Sequence, residues 1–277
     1  MALLTLSEAR PKLREAHRDR RLIPFLGSGF SAPLRLPLWG ELMGWMGQEL
    51  DFDPGLFEMH GTPRELAGFY ASERKGLADF VATMQKRFHA PEVEARRKDS
   101  IQHQALARRD FRRIYTTNFE HHIEEALRDA GKKAAVLLDL DDYMRPTAAD
   151  TCQVIKFHGD LDEPETVVLT ENQFFERFQL EAPSDQLLRA DLLGNVFLFL
   201  GYSFSDINIR YIWHRMFRLR EAAGARPEHR SYLATFGAGA VQTKLLEDWH
   251  IDIIELDATD KSKSVAALLD ALDGGAP

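Results

Sequence analysis

Short apolar runs that alternate with helical patterns are the feature that most constrains how this chain can fold. The runs "LIPFL" (22–26) and "NVFLFLGY" (195–202) are continuous and apolar, as expected for strands buried on both faces of a sheet. Helical patterns of roughly 10–15 residues separate such runs. Because this alternation is typical of βαβ units, the sequence predicts an α/β fold, a Rossmann-like parallel sheet with helices on both faces.

The predicted elements fill residues 1–277 as a single domain. We predict strands at 22–26, 113–115, 134–138, 153–157, 166–169, 195–202, 231–236 and 251–256. We predict helices at 5–20, which Thr5 and Glu8 open with capping-box spacing, and at 120–130, 171–178, 184–193, 206–223, 239–249 and 264–272. Residues 39–110 are helical in pattern, so we expect a helical insertion between the first and second strands.

Charge and cysteine content exclude several classes of function. The 35 Lys and Arg against 43 Asp and Glu give a net charge of −8, which disfavours direct nucleic-acid binding. The single cysteine, Cys152, forms no internal disulfide, and no Cys-x-x-Cys pair exists for a zinc module. The sequence has neither a signal-peptide pattern nor an apolar stretch of roughly 20 residues. We therefore expect a cytoplasmic protein without a membrane partner.

A glycine-rich segment directly follows the first predicted strand. Gly27-Ser28-Gly29-Phe30-Ser31-Ala32 matches the pattern G-x-G-x-x-G/A, whose glycines let the backbone approach a pyrophosphate. An ordinary dehydrogenase also needs an acidic residue at the end of its second strand. The nearest acids, Glu49, Asp51 and Asp53, lie in or near predicted helix. The pattern therefore indicates a nucleotide site but disfavours hydride transfer.

Polar groups follow three further predicted strands. The second strand ends in Thr116-Thr117-Asn118, a later one in His158-Gly159-Asp160, and the strand at 195–202 in Gly201-Tyr202-Ser203 with Asp206 just beyond. The carboxyl ends of parallel strands meet at one edge of a sheet, where ligands bind. We therefore expect these groups and the glycine-rich segment to converge on one crevice.

Each of these groups also has an ordinary structural interpretation. Asn118 and Asp206 suit the N-caps of the helices that follow them, and Ser203 suits a turn. A lone histidine such as His158 is usually a hydrogen-bonded turn or core residue. The adjacent pair His121-His122 is not a metal motif, because neighbouring residues on a helix point in different directions. From the residues alone, the structural and the functional interpretations both stay open for Asn118, Asp206, Ser203 and His158.

The four motifs in this order resemble the Sir2 (sirtuin-like) superfamily, in particular its compact bacterial antiphage-defence domains. The resemblance covers residues 22–256. It implies that Gly27, Ser28, Gly29 and Ser31 hold the pyrophosphate of NAD, covered by Phe30. Asn118 would bind the nicotinamide ribose and orient a water, and His158 would be the base. Thr117 would support the ribose, while Gly201, Tyr202, Ser203 and Asp206 would belong to the cofactor-binding edge.

Two departures from sirtuin deacylases favour NAD hydrolysis over protein deacylation. "APLRLPLW" replaces the Pro-Asp-Phe-Arg segment, and the four-cysteine zinc module is absent. The resemblance therefore implies an NAD⁺ glycohydrolase of bacterial abortive infection that uses NAD as substrate and needs no metal. A carboxylate, Glu120 or Asp160, would favour the sugar cation. The alternatives are an NAD-dependent deacylase and a non-catalytic subunit that binds NAD or ADP-ribose.

The resemblance also implies control by assembly. Chains of this size are expected to form homo-oligomers or to partner a hexameric HerA-type ATPase. The helical insertion and the arginine-rich first helix are the candidate contact surfaces.

Overall fold

The computed structural model describes residues 3–179, 181–202, 207–222 and 230–273, and a parallel sheet forms its centre. The strands are β1 (Leu3–Leu4), β2 (Leu22–Leu26), β3 (Arg113–Thr116), β4 (Lys133–Leu137), β5 (Thr151–Lys156), β6 (Val196–Leu200), β7 (Ser231–Thr235) and β8 (Ile251–Glu255). Their order across the sheet is β1-β8-β7-β6-β2-β3-β5-β4, and each strand runs parallel to its neighbours. The predicted α/β class and parallel sheet are confirmed.

Helices and short 3₁₀ turns connect the strands. The helices are α1 (Leu6–Arg18), α2 (Trp39–Glu49), α3 (Pro54–Glu58), α4 (Pro63–Arg74), α5 (Ala78–Phe88), α6 (Pro91–Asp99), α7 (Ile101–Arg108), α8 (His122–Asp129), α9 (Leu140–Met144), α10 (Glu171–Glu176), α11 (Pro183–Gly194), α12 (Ile207–Ala222), α13 (Ala240–Asp248) and α14 (Lys261–Asp270). The 3₁₀ helices cover Ser28–Leu34, Pro164–Thr166 and Arg177–Gln179. The predicted capping box is present at α1, where the Thr5 N–H donates to Glu8 Oε2 at 2.7 Å.

Alternation along the strands builds one core on each face of the sheet. In β2, Leu22 and Leu26 face the core that contains α1, α7, α8 and α14, whereas Ile23 and Phe25 face α11, α12 and α13. Both faces are therefore covered by helices, which explains why the central strands are continuous apolar runs.

The chain changes direction within the sheet beside β2. The strands β3, β5 and β4 extend the sheet on one side of β2, and β6, β7 and β8 extend it on the other. The edge beyond β2 and β6 is therefore a topological switch point, the place where open α/β sheets bind ligands.

The helices between β2 and β3 build a third core. Side chains of α2, α4 and α5 pack together there with Phe119, which follows β3. The helical segment is present where the sequence predicts it, but its last helix, α7, packs against the sheet and not in this third core. Ala105 and Leu106 of α7 pack in the main core with α14, so this part of residues 39–110 is integrated into the sheet's own layer.

One local prediction is wrong, and two short elements lie outside the predictions. The strand expected at 166–169 is absent, because both edges of β5 are already paired, with β3 and with β4. This segment contacts the end of β5 through the Val168 N–H, which donates to the His158 carbonyl at 2.9 Å. The strand β1 precedes the strand predicted as the first, so the helical segment lies between β2 and β3. The short helix α9 was also unpredicted, since five residues give too little periodic signal.

Among the helices of the described ranges, none combines the length and the apolar character needed to cross a bilayer.

Candidate functional site

Four neighbouring strands end in register at the switch point. Leu26 of β2 pairs with Leu200 of β6 on one side and with Thr116 of β3 on the other, and Thr116 pairs with Lys156 of β5. Two residues beyond these positions, the four strands continue into Tyr202, Ser28, Asn118 and His158. The strand-end motifs therefore lie at one edge of the sheet, as expected, for the part of each motif that the structure describes.

The glycines after β2 and β6 allow two turns to touch through their backbones. The Gly27 N–H donates to the Leu200 carbonyl and the Gly29 N–H to the Gly201 carbonyl, both at 3.0 Å. Gly201 has φ +61°, and a Cβ there would lie 2.0 Å from the Phe30 nitrogen. Close packing of the two turns is therefore sufficient to explain why these positions are glycines. At the turn surface, Ser28 and Gly29 are exposed.

Two aromatic residues of these motifs lie in or against the core. Phe30 is 1% exposed, and its ring lies 4.8 Å from the ring of His103. Phe30 thus packs in the core beneath the turn, and its expected role of covering the pyrophosphate stays a prediction. Tyr202 is half-buried with its ring 5.2 Å from that of Phe25. The predicted residues Ser203 and Asp206 lie outside the described residues.

A buried hydrogen-bonded cluster fixes the side chain of Asn118. Its Nδ2 donates to Ser31 Oγ at 3.2 Å and to Glu120 Oε1 at 3.0 Å, and Ser31 Oγ donates to the same Glu120 oxygen at 2.6 Å. Both amide hydrogens are thereby used, whereas Asn118 Oδ1 is buried without a hydrogen-bond partner. A buried acceptor left open in this way marks a position for a donor group of a ligand or water.

The alternative that Asn118 caps the following helix is wrong. The helix α8 begins at His122, and its N-cap is His121, which makes no side-chain capping bond. The Asn118 N–H instead donates to Thr116 Oγ1 at 3.0 Å, and the Thr117 N–H continues the sheet to the Leu26 carbonyl at 3.1 Å. Residues 117–121 are therefore a loop between strand and helix, held by side chains at both ends.

His158 lies beside Asn118 at the end of the adjacent strand. The side chain is buried, and its ring meets the ring of Phe174 on α10 edge to face, with centroids 5.1 Å apart. The next residue, Gly159, has φ +91°, and a Cβ there would lie 2.2 Å from the Thr166 carbonyl oxygen. The chain therefore turns sharply after His158, which keeps the imidazole at the edge of the sheet.

Lys156 is a residue of the site to which sequence analysis assigned no role. Its fully buried Nζ donates to the carbonyls of Phe119 at 3.1 Å and Glu120 at 2.6 Å. It also pairs with Glu124 Oε1 at 3.1 Å and Asp160 Oδ2 at 2.9 Å. Burial lowers the pKa of Lys156, but the two carboxylates outweigh burial and raise it overall. The charged ammonium of Lys156 therefore holds in place, through two backbone carbonyls, the loop that carries Asn118.

Asp160 is engaged in this ionic cluster. Burial opposes its ionisation, but the hydrogen bond with His121 Nε2 at 2.5 Å and the charge of Lys156 hold the pKa of Asp160 well below its usual range. Of the two carboxylates expected near the sugar, Asp160 is thus bonded to Lys156 and His121, and Glu120 is bonded to Asn118 and Ser31.

Comparisons with known proteins point to one family. Residues 112–254 match the family model described as a SIR2-like domain. The chain is 31% identical over 193 residues to the NAD(+) hydrolase ThsA of Acinetobacter baumannii, covering 69% of this chain and 38% of that protein. It is 27% identical over 209 residues to the NAD(+) hydrolase ThsA of Bacillus cereus, covering 75% of this chain and 41% of that protein.

A more distant relative is the defense-associated sirtuin 2 of Bacillus subtilis, which is 23% identical over 230 residues. That match covers 78% of this chain and 21% of the relative. The chain therefore spans about two fifths or less of the length of these curated relatives.

Proposed function

The chain belongs to the SIR2-like domain family, and from that membership we propose that it hydrolyses NAD⁺ to nicotinamide and ADP-ribose. The single observation that carries the proposal is the open acceptor Asn118 Oδ1, which is buried at the sheet's carboxyl edge between the turn after β2 and His158. The names of the ThsA relatives, NAD(+) hydrolases, support the same reaction.

Cleavage of the nicotinamide–ribose bond passes through an oxocarbenium-like sugar, as in glycoside hydrolysis. Nicotinamide already leaves from a cationic ring, so no acid has to protonate it. The protein has to hold the ribose, accept a proton from water and direct that water to the sugar carbon.

Asn118 is suited to hold the ribose or the water. Because Ser31 and Glu120 take both amide hydrogens, the carbonyl oxygen is the end presented to a ligand. It accepts a hydrogen bond from a ribose hydroxyl or from the attacking water, in an orientation fixed before binding. Ser31, at 2% exposure, acts in this proposal through Asn118 and not by touching a phosphate.

His158 is the proposed base. An imidazole accepts a proton near neutral pH, and the register of β3 and β5 puts this one beside Asn118. The exposed turn residues Ser28 and Gly29, with Thr117 and Gly201 at the same edge, are proposed to line the remainder of NAD.

Nicotinamide release from NAD⁺ by the purified chain tests the proposal. The Asn118→Ala variant removes the open acceptor, and Asn172→Ala, at an exposed position of α10, is the matched control. We expect release from the unmodified chain and from the control, and a loss of at least about 100-fold in Asn118→Ala. Unfolding of Asn118→Ala, checked by circular dichroism, or undiminished release would contradict the assignment.

The same assay separates the two alternatives. Release that depends on an added acyl-lysine peptide indicates a deacylase, because that substrate then supplies the nucleophile. Binding of NAD⁺ or ADP-ribose without release indicates a non-catalytic subunit.

We further propose a biological setting for this activity, NAD depletion in bacterial antiviral defence within the cytoplasm. The name of the Bacillus subtilis relative supports the defence role. Control by homo-oligomerisation or by a hexameric HerA-type ATPase is part of the same proposal. Light scattering of the chain alone and with such an ATPase tests it, and a monomer under both conditions would count against it.

A further inference from the structure

Two histidines and a glutamate meet where the helical segment before β3 contacts α8. His89 follows α5, Glu94 lies on α6, and His122 is the first residue of α8. Glu94 Oε1 lies 3.2 Å from His89 Nδ1 and 3.5 Å from His122 Nδ1. One potential ligand atom from each residue falls within 4.8 Å of the other two.

The hydrogen bond on the far side of His122 fixes which nitrogen carries its proton. His122 Nε2 lies 3.0 Å from the Phe88 carbonyl oxygen, which can only accept, so Nε2 is the donor. In the neutral ring Nδ1 then carries a lone pair. This nitrogen is buried without a hydrogen-bond partner and faces an oxygen of Glu94. Two acceptors that face each other at 3.5 Å leave a place for a proton or a cation between them, beside the contact of the same Glu94 oxygen with His89 Nδ1.

The charge around the cluster favours a cation. Arg97 Nε lies 2.9 Å from Glu94 Oε2 and 3.2 Å from Glu125 Oε2, and Arg97 Nη1 lies 2.7 Å from Asp129 Oδ2. The carboxyl groups here therefore outnumber the one guanidinium that they contact. Because Arg97 occupies Oε2 of Glu94, the oxygen Oε1 stays directed at the two histidines.

We propose that His89, Glu94 and His122 form a binding site for a divalent transition-metal ion, with Zn²⁺ as the best match. Imidazole nitrogen and carboxylate oxygen are its common ligands, at about 2.0–2.2 Å. Tetrahedral angles at such distances separate neighbouring ligand atoms by roughly 3.3–3.5 Å, close to the spacing of both histidines from Glu94. The Phe88 carbonyl supplies the outer hydrogen bond that metal-binding histidines usually make.

A second group of potential metal ligands, His121, Asp160 and Asp162, lies nearby but is already engaged in an ion pair. His121 Nε2 lies 2.5 Å from Asp160 Oδ1 and 3.5 Å from Asp162 Oδ2, but Lys156 already holds the other oxygen of Asp160 at 2.9 Å. The adjacent histidines His121 and His122 therefore serve different clusters.

The site joins three segments that are separate in sequence, which explains why sequence analysis expected no metal. A bound ion would tie α5 and α6 to α8, the helix that follows the loop of Asn118. Entry is open from the side of His89 and Glu94, whose side chains are 19% and 25% exposed, while His122 is fully buried.

Metal binding by the tag-free full chain tests the inference. Protein stripped with a chelator is titrated with Co²⁺, followed by its visible absorption, and then with competing Zn²⁺; metal content is measured by mass spectrometry. We expect one equivalent per chain. Glu94→Gln and His89→Gln should each weaken binding by about 10–100-fold. The matched controls Glu92→Gln, on the exposed side of α6, and His60→Gln, an exposed histidine elsewhere, should leave it unchanged.

Failure of the chain to bind Co²⁺ or Zn²⁺, or equal binding by the ligand variants and the controls, would overturn the site. Circular dichroism without metal checks that each variant is folded. If Glu94→Gln does not fold, the comparison of His89→Gln with His60→Gln decides the question alone. The readout is metal affinity, so it is independent of whether the chain cleaves NAD⁺.

Discussion

Glu120 Oε1 accepts hydrogen bonds from both Asn118 Nδ2, at 3.0 Å, and Ser31 Oγ, at 2.6 Å. One carboxylate oxygen therefore joins the loop after β3 to the turn after β2, although 89 residues separate Ser31 from Glu120. The consequence is an asparagine whose two donors are used inside the protein and whose acceptor is left for a ligand.

Removing the carboxylate should impair turnover more than folding. In Glu120→Ala, Asn118 loses a charge-assisted partner and its amide is free to rotate, so we expect kcat for nicotinamide release to fall by about 10–100-fold. Glu120→Gln keeps an oxygen that accepts both bonds and should retain most of the activity. Steady-state kinetics, with melting curves for both variants, measure this. Equal losses in the two variants would mean that the charge of Glu120, and not its positioning of Asn118, matters.

The contact between the turns after β2 and β6 should make Gly201 far less replaceable than another glycine with positive φ. Gly201→Ala combines left-handed strain with a Cβ placed 2.0 Å from the Phe30 nitrogen, and we expect it to lower the free energy of unfolding by about 3–5 kcal/mol. Gly131 has φ +77° with no atom within 4 Å of its Cβ position, so Gly131→Ala should cost about 1–2 kcal/mol. Urea unfolding of the two variants compares them, and similar values would show that the turn contact contributes nothing.

Sequence predicts those residues of the site whose position depends on where the strands end. The runs that form β2, β3, β5 and β6 are visible as apolar segments, and a parallel register brings their carboxyl ends to one edge. The strand pattern alone therefore suffices to place Asn118 and His158 at the same edge. Their proposed roles rest on the family resemblance and stay predictions.

The parts that sequence does not predict depend on contacts between distant segments. Nothing in the motif around Lys156 indicates that its ammonium reaches the carbonyls of Phe119 and Glu120, in the loop after the neighbouring strand β3. The packing of Phe30 is a second example: the motif fixes the backbone of the turn, whereas the core around His103 decides where the ring packs.

Lys156 should be among the most sensitive residues of the fold. Lys156→Met leaves Glu124 and Asp160 buried without their ammonium, so we expect a loss of about 3–5 kcal/mol in the free energy of unfolding. Lys133 pairs with Asp150 at the surface, where both side chains are more than 60% exposed, and Lys133→Met should cost at most about 1 kcal/mol. Chemical denaturation distinguishes the two, and a mild effect of Lys156→Met would show that the cluster relaxes or admits water.

The single cysteine should be inert in the folded chain. Burial raises the pKa of the Cys152 thiol from 9.0 to about 12, and the residue is 6% exposed. Because the folded pKa lies above the unfolded one, the thiol's contribution to stability is complete below about pH 9 and is lost as the pH rises toward 12. At about pH 8 the folded thiolate fraction is roughly a thousandfold lower than in the unfolded chain. Alkylation with iodoacetamide, followed by mass spectrometry, should therefore be slow in buffer and rapid in urea. Rapid alkylation of the native chain, rising with pH as for a free thiol, would show that β5 opens far more often than its buried position between β3 and β4 implies.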